Sequence, residues 1–206
     1  MSRPRGFTII EMLISMGIFA VITGLVMANF RVGSQGDELR SSSQLVASAI
    51  RRMQTAALAG QTTHFCRDAE GHDGQVCPTG SDSECAGGAC VNDTPRGGYG
   101  IHFEAFEPND RAMVAFADTN GDGLYQAGEE IRRDNVSPNI YVSVISVAPA
   151  LPGPALDIVF VPPRPSVKFN NGATADLVAT IVLRHRSTML TKEVTVNSIS
   201  GRISAD

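Results

Sequence analysis

Three groups of residues in this chain have types and spacings that could do chemistry. The first is "DTNGDGLYQAGEE". Its Asp118, Asn120, Asp122, Gly123 and Glu129 fit D-x-[DN]-x-[DN]-G-x5-E at every defined position. Oxygen ligands at alternate positions converge on a calcium ion. Gly123 permits the sharp turn, the Leu124 carbonyl adds a ligand and Glu129 closes the shell. The competing reading is a hairpin loop, because Asp, Asn and Gly favour turns with no metal, and strands rather than helices flank the motif. The second group is Cys66, Cys77, Cys85 and Cys90, all within one polar, glycine-rich stretch. Clustered, even-numbered cysteines in an exported chain predict two disulfides, and three pairings are open. With His64 and His72 the same residues permit zinc. There is no C-x-x-C pair, and oxidation is the expected outcome outside the cytoplasm, so disulfides are preferred. The third is a single acid, Glu11, inside an otherwise apolar run from Phe7 to Phe30.

The elements that must position these residues follow from pattern. The apolar run is long enough to cross a bilayer, which takes roughly 20 residues. Arg3 and Arg5 precede it and favour a cytoplasmic start. Beyond it, Leu39, Val46, Ile50, Met53 and Ala57 fall on one helical face, and Gly60 is a C-terminal stop. "YGIHFEAF", "AMVAFAD", "IYVSVISVA", "ALDIVFVP", "DLVATIVLRH" and "KEVTVNSI" read as strands, being short and rich in β-branched and aromatic residues. The expected fold class is α+β: a long N-terminal helix packed on an antiparallel β-sheet domain. The expected segments are a leader over 1–6, a membrane half of the helix over 7–30, an amphipathic half over 31–59, a cysteine-containing loop insertion over 60–97 and a sheet domain over 98–206. A net charge of −4 on 206 residues gives no general reason to expect nucleic acid.

A carboxylate in hydrocarbon is costly and normally paired. The first cation that follows, Arg31, lies roughly 30 Å away along a helix, too far to pair. Removal of residues 1–6 would expose an α-amino group on Phe7, one helical turn from Glu11. On a neighbouring chain such an amine would lock two helices at a defined stagger. The bland alternative is a protonated or interfacial Glu.

"RGFTIIEMLISMGIF" resembles the prepilin signal of type IV pilins and type II secretion pseudopilins, with Gly6, Phe7, Thr8 and Glu11 all matching. The resemblance implies cleavage after Gly6 by a prepilin peptidase, N-methylation of Phe7 and a role for Glu11 in assembly. The helix-kinking proline that many relatives carry is absent. The order of helix, "GGYGIHF" strand, acidic loop and final "VTVNSISGRIS" is similar to minor subunits of the GspH/FimT type. The implied partners are other pilin or pseudopilin subunits, the peptidase and an inner-membrane assembly platform. The implied location is single-pass in the inner membrane with a periplasmic C-terminal domain, then in a filament. An alternative is a DNA-binding or adhesive minor pilin. Here the tail reads Gly201-Arg202-Ile203-Ser204 and lacks a second basic residue, so phosphate contacts are few. No nucleophile constellation or nucleotide motif stands out, and no enzymatic activity is expected. His185, between two arginines in a strand pattern, reads as a surface histidine.

Overall fold

The computed structural model describes residues 8–68, 73–107, 110–149, 153–162, 166–172 and 176–206, with backbone alone for 28–33. One helix, α1 (Ile9–Leu58), is followed by twelve strands among the described residues: β1 (Thr63–Arg67), β2 (Asp73–Val76), β3 (Ala89–Asp93), β4 (Gly98–Glu104), β5 (Ala112–Asp118), β6 (Glu130–Asn135), β7 (Ile140–Ala148), β8 (Ala155–Val161), β9 (Ser166–Phe169), β10 (Val178–His185), β11 (Thr191–Asn197) and β12 (Ile203–Ala205). Every ladder is antiparallel. The fold is α+β.

The chain divides into two compact units, Met1–Glu38 and Leu39–Asp206. In the first, Ile9–Met27 is long and apolar enough to cross a membrane, and its large apolar side chains are exposed. Such a helix, apolar on all sides, has no water-facing stripe to present.

In the second unit α1 has a defined inner face. Leu39, Val46, Ile50, Met53 and Ala57 are all buried, joined by Ala47, Ala49 and Ala56. The helix ends in a Schellman motif. Gln61 N donates to Ala56 O and Gly60 N to Ala57 O, with Gly60 at φ 58°. Against this face pack two sheets, in the orders β6-β5-β4-β8-β9 and β12-β11-β10-β7. Alternation selects the inward residues: Tyr99, Ile101 and Phe103 from β4, Leu156, Ile158 and Phe160 from β8, Ala179, Ile181 and Leu183 from β10. Each large apolar side chain fully buried here contributes roughly 1.5–3 kcal/mol.

Three differences from expectation stand out. The sheet is two sheets around one core, with β6, β9 and β12 added as short or polar edge strands. The stretch expected to be a loop insertion contains a third, three-stranded sheet, β2-β1-β3. Its strands are too short and polar to show periodicity. Finally, His185 is buried, not superficial. It shares parity with Ala179, Ile181 and Leu183 and so faces inward at the end of β10. Its Nδ1 accepts from the Ser187 and Thr188 backbone N–H groups, which places its proton on Nε2.

Candidate functional site

At the start of α1 the acid is already engaged. Glu11 Oε2 accepts from Thr8 N and from Thr8 Oγ1, each at 2.9 Å, while Glu11 N lies 3.3 Å from Thr8 Oγ1. This is a capping box, T-x-x-E, that satisfies helix donors reciprocally. It turns the carboxylate toward the chain start. Gly6 and Phe7, the expected processing residues, lie outside the described residues. The capping role was missed in the sequence, although the spacing Thr8 to Glu11 was its signal.

The acidic loop leaves β5 and returns through a short 3-10 turn, Ala127–Glu129. Asp118 is buried. Its Oδ1 accepts from Gly121 N at 2.7 Å and its Oδ2 from Gly123 N at 2.9 Å. Gly121 and Gly123 adopt φ 80° and 74°, where a side chain is strained. Asp122 Oδ1 accepts from Leu124 N, and Asn120 Oδ1 from Asp122 N. Glu129, also buried, accepts from Thr119 N at 3.0 Å and from Gln126 N at 3.2 Å. Burial pushes the Asp118 carboxyl above its ordinary range, against the pull of Gly123 and Gly121. Burial likewise raises Glu129, and the Asp118 charge adds to it. The preceding "GGYG" is shaped by this loop: a Cβ on Gly97 would overlap the Asp118 carboxylate, and Gly98 sits at φ 94° against the Phe160 carbonyl.

The loop is latched to its surroundings twice. Thr119 Oγ1 donates to Gly74 O at 2.6 Å, joining it to the small sheet. Tyr125 lies over the outer face of the five-stranded sheet, its ring centroid 4.7 Å from that of His102 and 5.5 Å from that of Phe116. His102 bridges two acids, with Nδ1 2.7 Å from Asp157 and Nε2 3.2 Å from Glu104. Burial pulls its pKa down, but the two carboxylates outweigh this and leave it raised. Alternation in "GYGIHFE" shows that His102 leaves the core face. Asp157, 55 residues away, gives no local signal.

All four cysteines are bonded, Cys66 to Cys85 and Cys77 to Cys90. The turn between Cys85 and Cys90 depends on glycine. Gly87 has φ 88°, and a Cβ on Gly88 would press on the Arg67 carbonyl. His64 belongs to β1, and His72 lies outside the described residues. Arg186 is tied to Glu107 at 2.9 Å and to Asp110 at 2.8 Å, and packs on Tyr141. Next to the exposed Arg202, the Ile203 carbonyl accepts from Arg51.

Residues 1–27 match the family described as the prokaryotic N-terminal methylation motif. The chain thus carries a type IV pilin-like prepilin signal, which implies processing by prepilin peptidase and assembly with other pilin subunits. The apolar helix fits the membrane anchor of such a protein. No curated protein and no solved structure matches the chain.

Proposed function

We propose that this protein is a non-enzymatic filament subunit. It is cut after Gly6, N-methylated at Phe7 and assembled into a type II secretion pseudopilus or a type IV pilus. The resemblance to GspH/FimT-type proteins favours a minor place in that filament. Before assembly the chain sits in the inner membrane with its C-terminal unit in the periplasm. The observation that supports this best is Glu11, an acid in an exposed apolar helix whose carboxylate is held against Thr8. A new amine on Phe7 would arise one residue from that bond. On a neighbouring subunit it would neutralise Glu11 and set the axial offset between helices, while the exposed apolar faces bundle together. Mass spectrometry of the native N-terminus tests the reading directly. It should begin at methylated Phe7; a retained leader in assembled fibres would end the proposal.

A second reading concerns the acidic loop. Asp118 and Glu129 are both buried acids held above their ordinary range, and the charge of the first disfavours that of the second. In residue type and spacing this donor set matches a calcium loop. Asp118, Asn120, Asp122, the Leu124 carbonyl and Glu129 would hold the ion, which would neutralise the buried charge and stiffen the loop. Titration calorimetry on the protein and on Asp122→Ala decides: heat from calcium should appear in the first and fall in the second. No heat from the unmutated protein would leave the loop as a self-bonded hairpin.

A further inference from the structure

One end of the second unit exposes apolar side chains that its own core does not use. The hairpin joining β10 to β11 closes with His185 N donating to Leu190 O at 2.9 Å and Met189 N to His185 O at 3.0 Å. Its sequence, "RSTML", starts polar and ends in Met189 and Leu190, which are 55% and 46% exposed. Met189 sits at φ 60°, a left-handed conformation that glycine or asparagine adopts more readily. The turn therefore keeps a long apolar side chain where turn chemistry alone selects against one. Phe106, just past β4, is 65% exposed. Its neighbour Glu107 is bound to Arg186 at 2.9 Å, so Phe106 and the β10–β11 turn share one end of the unit.

The strand register identifies that end. Gln54 donates to Gly201 O and Arg51 to Ile203 O, so β12 runs along α1 toward earlier helix residues. Ala205 pairs with Val194, and β11 extends beyond that pair to Thr191. The turn thus lies at the end where the chain enters the unit at Leu39. Leu39 follows the apolar segment Ile9–Met27 closely in sequence. A bilayer holding that segment tethers the unit, at an effective concentration of about millimolar for a short linker. A contact of a few side chains then suffices. Two protruding tips also suit a penetrable surface. Lipid yields to their shape, whereas a folded partner would need a matching pair of hollows.

We propose that Phe106, Met189 and Leu190 dip into the lipid interface, so that the unassembled chain touches the bilayer surface with this end of its second unit. Apolar side chains on an otherwise polar surface bind lipid by burial at the headgroup and acyl boundary. The proposal rests on the reading of Ile9–Met27 as a membrane anchor and not on assembly into a filament. Tryptophan is absent from the sequence, so a single introduced indole reports on one place.

The test uses the full-length chain at low protein-to-lipid ratio in phosphatidylcholine vesicles, with or without lipid brominated in its acyl chains near the headgroup. Three variants are compared: Leu190→Trp, Phe106→Trp and Ile199→Trp. Ile199 is also exposed but lies between β11 and β12, at the opposite end of β11. Flotation with the vesicles reports the anchor separately. At a depth of about 5–10 Å into the boundary, the first two indoles should lose about half their emission or more to bromine. Ile199→Trp should lose none. Adding Phe106→Ser and Met189→Ser to Leu190→Trp should shrink its loss. Equal quenching of Leu190→Trp and Ile199→Trp would overturn the proposal. So would a loss that survives both serines unchanged, because the indole alone would then be the cause. Blue-shifted emission of Leu190→Trp that ignores bromine but follows the protein-to-lipid ratio would assign the patch to a second copy instead. A chain that does not float would remove the anchor, and the proposal with it.

Discussion

Two halves of one helix meet opposite surroundings. In Ile9–Met27 the large apolar side chains are exposed, whereas Val46 and Ile50 in the later half are fully buried. Backbone geometry is shared, so it explains neither state. The difference lies in distribution. The first half is apolar on every side and needs a medium without water. The second carries one apolar stripe, flanked by Arg40, Ser48 and Arg51, and needs one partner. A helix thus declares its environment by how its apolar residues are spread, not by how many it has.

The sharpest way to break this contrast is Glu11→Ala. It should reduce recovery of the protein in filaments by more than about a hundredfold, as removal of one member of a buried ion pair costs 3–5 kcal/mol. The urea midpoint of the Leu39–Asp206 unit should not move. Normal fibre incorporation would show that the first half assembles by packing alone. Next in size is Ile50→Ala, which should cost about 2–5 kcal/mol in urea unfolding. Ile14→Ala, an equal truncation in the exposed half, should leave that midpoint unchanged. Opening the shorter crosslink with Cys77→Ser and Cys90→Ser should cost about 3 kcal/mol, the chain-entropy value for a loop of this size. Proteolysis should then begin within residues 61–97.

The smallest effect is a dependence on pH. His102 titrates above its ordinary 6.5 because Asp157 and Glu104 favour its charged form over the opposing effect of burial. Its stabilising contribution is complete below 6.5 and drains away as pH rises through the higher folded value. Asp118 and Glu129 act in the same sense at lower pH. Their folded values lie above 3.8 and 4.5, so stability falls as pH climbs through that range. Thermal melts across pH 4 to 8 should therefore show two declining segments. In His102→Gln the upper one should vanish and the lower one remain.

Much of the fold was legible because it obeyed simple periods. The stripe from Leu39 to Ala57 and the six apolar strands were visible as spacing 3.6 and spacing 2. The edge strands were not, since "EIRRDN" in β6 is polar and gains its conformation only from pairing with β5. The small sheet was hidden for a related reason: crosslinks and turns organise it, not a hydrophobic pattern. At the acidic loop, the residue types were plain, but the sequence could not show that Gly97 must be bare to admit Asp118, or that Thr119 would reach Gly74. His185 was misread because two flanking arginines outweighed the parity of its strand. For the edge strands and the acidic loop the missing information was a contact distant in sequence.

The bond between Glu11 and Thr8 has a consequence for timing. A bare anion in lipid would be an emergency, relieved at any cost by the first cation to arrive. This one is parked against its own backbone, so an unassembled chain can wait in the bilayer. In the filament proposed above, joining would exchange this partner for the amine of a neighbouring chain.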